Sequence, residues 1–108
     1  MYYDTTYRVS YGDTDQMGVV YYGNYLEFFE RARTEMLRSA GLPYAELERR
    51  GWFLMVIEAH CRYHAPAYYD DLLTFRSWVE SRQRVKVKIC TEVRRGGELL
   101  VDGYVILG

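Results

Sequence analysis

The stretch from Tyr11 to Glu30 reads YGDTDQMGVVYYGNYLEFFE and joins a charged loop to the start of a helix. Asp13, Asp15 and Gly18 stand immediately before its aromatic run. Burying an unpaired carboxylate among aromatic side chains costs free energy, so a turn that faces such a cluster normally avoids charge. Two hypotheses follow. Either both aspartates only fold the loop, or one of them contacts a substrate.

The residues that follow predict one long helix and one short helix. Asn24 and Glu27 have the spacing of a capping box, in which each side chain accepts a hydrogen bond from a backbone N–H that the first turn leaves unpaired. The long helix is expected to end near Gly41, because glycine adopts the left-handed conformation easily and Pro43 cannot continue the helix. The second helix is predicted from Tyr44 to Arg50. The predicted apolar face of the long helix contains Leu26, Phe29, Met36, Leu37 and Ala40.

Alternation of apolar and polar residues predicts strands on both sides of these helices. The first strand is expected from Thr5 to Tyr11, and the others in the segments WFLMVIEAHCRYH, LLTFRSWVES, RVKVKICTEVR and ELLVDGYVILG. Gly96 and Gly97 fit a two-residue hairpin turn between the last two segments. The predicted fold class is α+β, with the long helix across one face of an antiparallel sheet of about five strands. In the segment RVKVKICTEVR, the residues predicted to face the core are Val85, Val87, Ile89, Thr91 and Val93.

Composition argues against several classes of protein. A chain of 108 residues fits one domain, residues 1–108, and its 49% hydrophobic and 27% charged content argues against disorder. Its net charge of -1 gives no global attraction to nucleic acid or to anionic membranes, so neither is expected as a partner. The start MYYDTTYRVS lacks the features of a secretory signal, and the longest apolar run is far shorter than the ~20 residues of a membrane helix. Cys61 and Cys90 are too few for a disulfide framework, and we expect a cytoplasmic protein.

The spacing of His60, Cys61 and His64 could indicate a zinc site. On a strand, however, the two histidines lie about 13 Å apart, too far to share an ion whose ligands bind at about 2.1 Å. The sequence contains no G-x-S-x-G, Walker A or G-x-G-x-x-G motif. We therefore expect no metal and no cofactor.

The pattern YGDTDQMGVVYYGNYLEFFERAR, the segment RYHAPAYYDDLLTF and the basic strand after it resemble the 4-hydroxybenzoyl-CoA thioesterase-like branch of the hotdog-fold acyl-CoA thioesterases. The resemblance runs from about Tyr7 to Leu107. It implies a hotdog fold, in which a curved antiparallel sheet wraps a long helix, and dimers or tetramers whose active sites lie at subunit contacts. Many relatives carry histidine where this chain has Tyr22, so a mechanism that needs that imidazole is not open to it. Relatives also continue past the position of Gly108, which leads us to expect a further C-terminal segment.

Thioester hydrolysis needs a group that attacks the carbonyl or activates water, and a group that holds the developing oxyanion. The thiol leaving group, with a pKa near ~8.5, departs as a thiolate without strong acid help. Asp15 can serve as nucleophile or general base, because aspartates are ionised at neutral pH. The resemblance assigns the oxyanion role to the backbone N–H of Tyr22, at the positive end of the long helix. Gly18 is expected to let the loop turn and bring Asp15 beside that helix end, and Asp13 to brace the loop through backbone N–H groups.

Charged residues elsewhere are candidate substrate contacts. Glu30 either forms a solvated ion pair with Arg33 at i+3 spacing or, as the resemblance implies, meets the acyl group across a dimer interface. Four cations are predicted on one side of a strand, about 6.6 Å apart, where they suit the pyrophosphate and 3′-phosphate of coenzyme A. Their alternative role is a charged face that discourages edge aggregation. The four are Arg82, Arg84, Lys86 and Lys88, of which Arg82, Arg84 and Lys86 are assigned to substrate binding.

Together these features predict an acyl-CoA thioesterase that hydrolyses a small or medium acyl or aryl thioester, with acyl-CoA as its partner. One alternative is a non-catalytic acyl-CoA-binding module that senses a ligand in the same pocket. Another alternative keeps hydrolysis but uses a helix carboxylate, Glu27 or Glu30, in place of Asp15. Twelve tyrosines and open sheet edges favour association of like subunits, as a homodimer or homotetramer.

Overall fold

The computed structural model describes residues 1–51 and 53–108, with Tyr44 described by its backbone alone. A 3-10 turn at Tyr11–Asp13 precedes the first helix. The α+β class and the two predicted helices are confirmed. The strands are β1 (Tyr3–Arg8), β2 (Val56–Tyr63), β3 (Leu72–Arg82), β4 (Val87–Arg95) and β5 (Glu98–Leu107), and the helices are α1 (Asn24–Ser39) and α2 (Tyr44–Arg49).

The five strands form one antiparallel sheet in the order β1-β3-β4-β5-β2. Two hairpins, β3–β4 and β4–β5, make its centre, and the first two strands of the chain lie at its two edges. Gly96 and Gly97 form the turn between β4 and β5, as predicted. The predicted second strand begins at Trp52, which lies outside the described residues, and β2 itself begins at Val56. Of the helices in the described part of the chain, none has the length and apolar character needed to cross a membrane.

Helix α1 buries an aromatic stripe against one face of the sheet. The ring of Phe28 stacks on that of Phe75 in β3, with the centroids 5.2 Å apart. The predicted apolar face is right for Phe29, which is buried, and wrong for Leu26 and Ala40, which are exposed. The stripe is rotated from the predicted one because aromatic rings bury more area than leucine or alanine, and they decide which side of the helix packs. Its buried members are Tyr25, Phe28, Phe29 and Ala32.

The connection between β3 and β4 is a turn where the sequence predicts the start of a strand. β4 begins at Val87, and Val85, which the alternation predicts to be buried, is 72% exposed. The N–H of Gln83 donates to the carbonyl of Lys86 at 2.8 Å and closes this turn. The alternation of apolar and basic residues continues through the turn in the sequence, so the pattern alone does not mark where the strand begins.

Asp13 connects β1, the loop after it and α1. Its Oδ2 accepts hydrogen bonds from the hydroxyl of Tyr7 at 2.6 Å and from the backbone N–H of Ser10 at 2.8 Å. Its carbonyl accepts from the N–H of Tyr21 at 3.0 Å and from the side-chain amide of Asn24 at 2.9 Å. The predicted bracing role of Asp13 is confirmed. Because these bonds start a turn, β1 stops short of its predicted end.

Helix α1 begins without a side chain that caps it. Its N-cap residue is Gly23, and in the described chain no side chain accepts a capping hydrogen bond there. The predicted capping box is wrong, because the Asn24 amide donates to Asp13 and the Glu27 carboxylate pairs with Arg31 at 3.1 Å. The N–H groups of Tyr22 and Gly23, which precede the first residue of the helix, have no acceptor among the described residues and are open to another one.

Gly103 in β5 allows α1 to lie close to the sheet. A Cβ atom at this position would lie 2.0 Å from the carbonyl oxygen of His60 in β2 and 2.8 Å from the ring of Phe29 in α1. Both distances are shorter than van der Waals contact between such atoms. Glycine is therefore required where β2, β5 and α1 meet.

Replacing Gly103 with alanine is expected to lower the free energy of unfolding by about 1–3 kcal/mol or more, because the backbone of His60 cannot move aside as a flexible side chain could. Gly97→Ala is the matched control, since a Cβ there meets nothing within 4 Å. Urea unfolding of the two variants at equal protein concentration measures the difference. Equal stability of the two variants would contradict the proposed close approach.

Acid is expected to weaken the brace formed by Asp13. Burial by itself would raise the pKa of Asp13, but the hydrogen bonds from Tyr7 and Ser10 favour its charged form, and the net pKa lies below the ordinary 3.8. A folded-state pKa below the unfolded value stabilises the fold above that value, and this contribution is lost as pH falls through the folded-state pKa. Asp13→Asn should therefore be less stable than the wild type at neutral pH, and the gap should narrow below about pH 4.

Melting temperatures of the two proteins between about pH 3 and pH 7 measure this gap. Glu48→Gln, at an exposed position in α2, controls for the loss of one acidic group. A gap that stays constant across this range would show that the charge of Asp13 does not carry the brace.

Candidate active site

The loop between the 3-10 turn and α1 is a tight turn that ends at Gly18. The N–H of Gly18 donates to the carbonyl of Asp15 at 2.9 Å, and the N–H of Asp15 donates to the carbonyl of Val19 at 3.0 Å. The φ angle of Gly18 is +80°, a value that residues with a side chain rarely adopt. The expectation that Gly18 permits a tight turn is confirmed, and this turn fixes the backbone of Asp15.

Only one oxygen of the Asp15 carboxylate is used by the loop. Its Oδ1 accepts a hydrogen bond from the N–H of Met17 at 2.9 Å, in the manner of an Asx turn. Its Oδ2 has no hydrogen-bond partner within residues 1–51 and 53–108. The carboxylate lies near Tyr21, whose pKa is raised first by its hydrogen bond with Tyr22 and to a smaller degree by the charge of Asp15. The half-buried Asp15 therefore keeps one free oxygen beside this tyrosine pair.

The backbone N–H of Tyr22 is an open hydrogen-bond donor at the start of α1. The first bonds of the helical turn run from the N–H of Asn24 to Tyr21 and from the N–H of Tyr25 to Tyr22. Neither the N–H of Tyr22 nor that of Gly23 has an acceptor in the part of the chain that the structure describes. Free N–H groups at a helix start carry partial positive charge and can bind an anion.

A cavity of about 310 Å³ lies beside Tyr22. Tyr63 borders it and donates a hydrogen bond from its hydroxyl to the Tyr22 carbonyl at 3.1 Å. This bond holds the peptide group between Tyr22 and Gly23 in place. Burial and the neighbouring Cys61 raise the pKa of Tyr63 to about 12, so its phenol stays protonated as the donor. Asp15 is not among the lining residues, so one chain brings Tyr22 to this cavity and leaves Asp15 outside it. The cavity is lined by Val20, Tyr22, Tyr25, Tyr63, His64, Ala65 and Pro66.

Glu30 lies two turns into α1, close to Arg33 and at the wall of a second cavity. Its Oε2 is 3.9 Å from a guanidinium nitrogen of Arg33, and its side chain is largely exposed. It also lines a cavity of about 260 Å³ between α1 and the sheet, which Leu54 and Val56 border on the side of edge strand β2. The ion pair is confirmed, and contact with a substrate stays a prediction.

The four predicted cations do not lie on one strand. Arg82 ends β3, Arg84 and Lys86 lie in the turn that follows, and Lys88 lies in β4. The nitrogen of Lys88 is 2.8 Å from the carboxylate of Glu80. The predicted row of cations on one face of a strand is therefore wrong, because the prediction assumed a strand where the chain turns. The first three cations are instead exposed together at one end of the β3–β4 hairpin.

Of the residues that line the Tyr22 cavity, sequence reasoning identified only Tyr22, and it missed those that bring polar groups, Tyr25, Tyr63 and His64. The alternation of β2 could have indicated Tyr63, because it shares a face with the partly buried Cys61. His64 was considered only as a metal ligand together with His60. His60 instead stacks on Tyr104, and no cluster of His, Cys, Asp and Glu that could hold a metal ion occurs among the described residues.

Comparison with known proteins identifies the family of this chain. Residues 17–101 match the sequence model of the Thioesterase superfamily. The chain is 42% identical over 100 residues to the acyl-CoA thioester hydrolase YbgC of Escherichia coli, a match that covers 93% of this chain and 75% of that protein. Proteins from Aquifex aeolicus and Bacillus subtilis are 38% and 35% identical, over 71% and 68% of this chain. The chain spans only 60% and 53% of the lengths of these two relatives.

Solved structures have the same fold. A protein of undefined function from Thermus thermophilus superimposes with a TM-score of 0.97 at 34% identity, covering 99% of this chain and 82% of that one. A DHNA-CoA thioesterase from Staphylococcus aureus superimposes with a TM-score of 0.94 at 32% identity, covering 98% and 72%. One long helix on a five-stranded antiparallel sheet, with the family's match across most of the chain, confirms the predicted hotdog fold. The chain therefore belongs to the Thioesterase superfamily of hotdog-fold proteins.

Proposed function

We propose that this chain is an acyl-CoA thioesterase that hydrolyses a small or medium acyl or aryl thioester to the free acid and coenzyme A. The observation that carries the proposal is the open N–H of Tyr22 at the start of α1, next to a loop whose Asp15 has a free carboxylate oxygen. A donor fixed toward a developing oxyanion contributes roughly 3 kcal/mol in acyl-transfer sites. The relative from Escherichia coli, named an acyl-CoA thioester hydrolase, supports the same activity.

In the proposed reaction, the thioester oxygen accepts a hydrogen bond from the N–H of Tyr22. Asp15 either removes a proton from a water that attacks the carbonyl carbon, or attacks that carbon itself and forms an anhydride that water then hydrolyses. The C–S bond breaks in both routes, and the sulfur leaves as a thiolate. Because this leaving group needs little acid help, the two groups suffice without a serine triad.

Charged residues elsewhere on the chain are proposed to hold the rest of the substrate. Arg82, Arg84 and Lys86 are exposed at one end of a hairpin, where their cations can meet the phosphates of coenzyme A. Glu30 is proposed to face the acyl group from its cavity beside β2. No cofactor takes part in the proposed reaction.

The active assembly is proposed to be a homodimer or homotetramer formed through β2. A strand at the edge of a sheet presents unpaired N–H and C=O groups to another chain. Pairing of β2 with its copy about a two-fold axis would give these backbone groups hydrogen-bond partners and place a second chain beside the Glu30 cavity. It would also cover the apolar residues exposed at this edge of the sheet. The apolar residues exposed on and before this strand are Phe53, Met55, Val56 and Ile57.

Asp15→Asn should lower kcat for acyl-CoA hydrolysis by at least about 100-fold, because the amide cannot act as a base or form the anhydride. Melting temperature and oligomeric state should match those of the wild type. Thiol release measured on acyl-CoA and aryl-CoA esters of several lengths gives the rates. Glu27→Gln and Glu30→Gln test the alternative in which a helix carboxylate carries the reaction, and Glu48→Gln, at an exposed position in α2, is the matched control.

Two outcomes of this experiment would contradict parts of the proposal. A larger loss in a helix variant than in Asp15→Asn would assign the reaction to that helix glutamate. Tight binding of acyl-CoA by the wild type with no thiol release over hours would favour a non-catalytic binding module, for which the position of Asp15 outside the Tyr22 cavity is an argument.

Ile57→Lys is expected to weaken self-association by at least about tenfold, because each copy would bring a like charge to the same two-fold interface. Thiol release should fall as the monomer fraction rises. Ala45→Lys, at an exposed position in α2, adds the same charge away from β2. Analytical ultracentrifugation of both variants across a range of concentrations measures the effect, and an unchanged dimer in Ile57→Lys would exclude β2 as the interface.

A further inference from the structure

His64 stands at the wall of the Tyr22 cavity and belongs to none of the roles described above. It follows the last residue of β2, and its N–H donates to the carbonyl of Leu100 at 2.8 Å. The next residue, Ala65, donates to the same carbonyl at 3.1 Å. Two backbone bonds to β5 therefore fix the position from which this ring enters the cavity wall.

The ring itself is oriented by a carboxylate. Its Nε2 lies 2.8 Å from Oδ1 of Asp102, which is carried by β5. A carboxylate only accepts hydrogen bonds, so Nε2 carries the hydrogen of this contact. In the neutral imidazole the other nitrogen, Nδ1, is then an acceptor with a lone pair. Nδ1 has no partner among the residues that the structure describes.

The hydroxyl of the neighbouring Tyr63 does not serve this acceptor. The hydroxyl of Tyr63 donates to the Tyr22 carbonyl, and most of the remaining wall is aromatic or apolar. The His64 side chain is 37% exposed, so water can serve this acceptor in the free chain, and a ligand that covers it without offering a donor loses that hydrogen bond. His64 is thus placed to distinguish ligands by a single hydrogen bond.

We propose that His64 is a specificity-determining residue, whose Nδ1, with the ring held by Asp102, accepts a hydrogen bond from a donor on the bound thioester. The inference rests on the proposed function in that the thioester occupies the Tyr22 cavity. Two donors of a coenzyme A thioester lie close to its carbonyl: a hydroxyl on the acyl group, where the acyl group carries one, and the amide N–H next to the thiol end of the pantetheine arm. His64 acts on binding and selection, while the reacting atoms are left to Asp15 and Tyr22.

Two substitutions separate this role from a structural one. His64→Gln keeps an N–H near the position of Nε2, and so retains the contact with Asp102, but it has no acceptor where Nδ1 lies. His64→Asn places its carbonyl oxygen near the position of Nδ1 and gives up the contact with Asp102. If His64 had only a structural role, His64→Gln would preserve the function of the wild type better than His64→Asn. If His64 is the proposed acceptor, His64→Asn preserves the preference for a donor better than His64→Gln.

The substrates form two matched pairs. The acyl pair is 4-hydroxybenzoyl-CoA against 4-methoxybenzoyl-CoA, with the 3-substituted isomers measured alongside. The thiol pair is the benzoyl thioester of N-acetylcysteamine against that of 2-mercaptoethyl acetate, in which an ester oxygen replaces the amide N–H. Within each pair the ratio of kcat/KM values measures the preference for a donor, and the pair that shows it identifies the source.

The wild type should prefer the donor-bearing member of one pair by about three- to tenfold, the effect of one hydrogen bond. His64→Gln should bring this ratio close to one, mainly through KM, and His64→Asn should retain most of it. A ratio unchanged in His64→Gln, a loss of preference in both variants, or a wild type without preference in either pair would overturn the proposal.

Binding of hydrolysis-resistant ligands separates this inference from the proposed activity. The 4-hydroxyphenacyl and 4-methoxyphenacyl thioethers of coenzyme A test the acyl donor, and the phenacyl thioethers of the two short thiols test the amide donor, both by calorimetry. If the wild type releases no thiol from any substrate, the proposed thioesterase activity fails. A donor preference in thioether binding that His64→Gln abolishes would support the role of His64 even then, and its absence would overturn it.

Discussion

The hydrogen bonds of Asp13 are the constraint on which the candidate site depends. Through its carboxylate it holds the end of β1 and the 3-10 turn, and through its carbonyl it holds the residues that begin α1. The loop with Asp15 therefore leaves and returns at fixed points, although it contains few buried side chains. The Asn24 side chain is used in this attachment and does not cap the helix, and the N–H groups of Tyr22 and Gly23, just before α1, have no acceptor within the described residues. One residue, Asp13, thus fixes the loop through its carboxylate and the start of α1 through its carbonyl.

Local patterns predicted the elements well, because the interactions that form them lie close together in sequence. The helix α1 and the strands after it follow from periodicity, and the turn at Gly18 follows from residue chemistry that needs no partner far along the chain. The capping box failed because a tertiary acceptor, the carbonyl of Asp13, competed for the Asn24 side chain. The basic stripe failed because apolar and basic residues alternate through the β3–β4 turn as regularly as along a strand.

The Tyr22 cavity could be predicted only in part, because its wall is assembled from separate segments. Tyr22 was expected from the family resemblance, whereas Tyr63 and His64 reach the same space only through the pairing of β2 with β5. The alternation of apolar and polar residues along two strands that are distant in sequence does not by itself show which residues of the two strands pair. The contact between His64 and Asp102 depends on that register. The separation of Asp15 from this cavity within one chain likewise has no sequence signature.

The glycine that brings Phe29 against β5 also limits how a protein of this shape can change what it accepts. The interior under the helix is filled by side chains. A ligand with a longer acyl group could extend into it only if aromatic side chains that stabilise the fold were replaced by smaller ones. Mutations that alter the rim, at the turn before α1, the end of β2 and the hairpin tip, carry no such penalty. Changes in what such a scaffold binds are therefore expected at its surface, where substitutions leave the packed interior undisturbed.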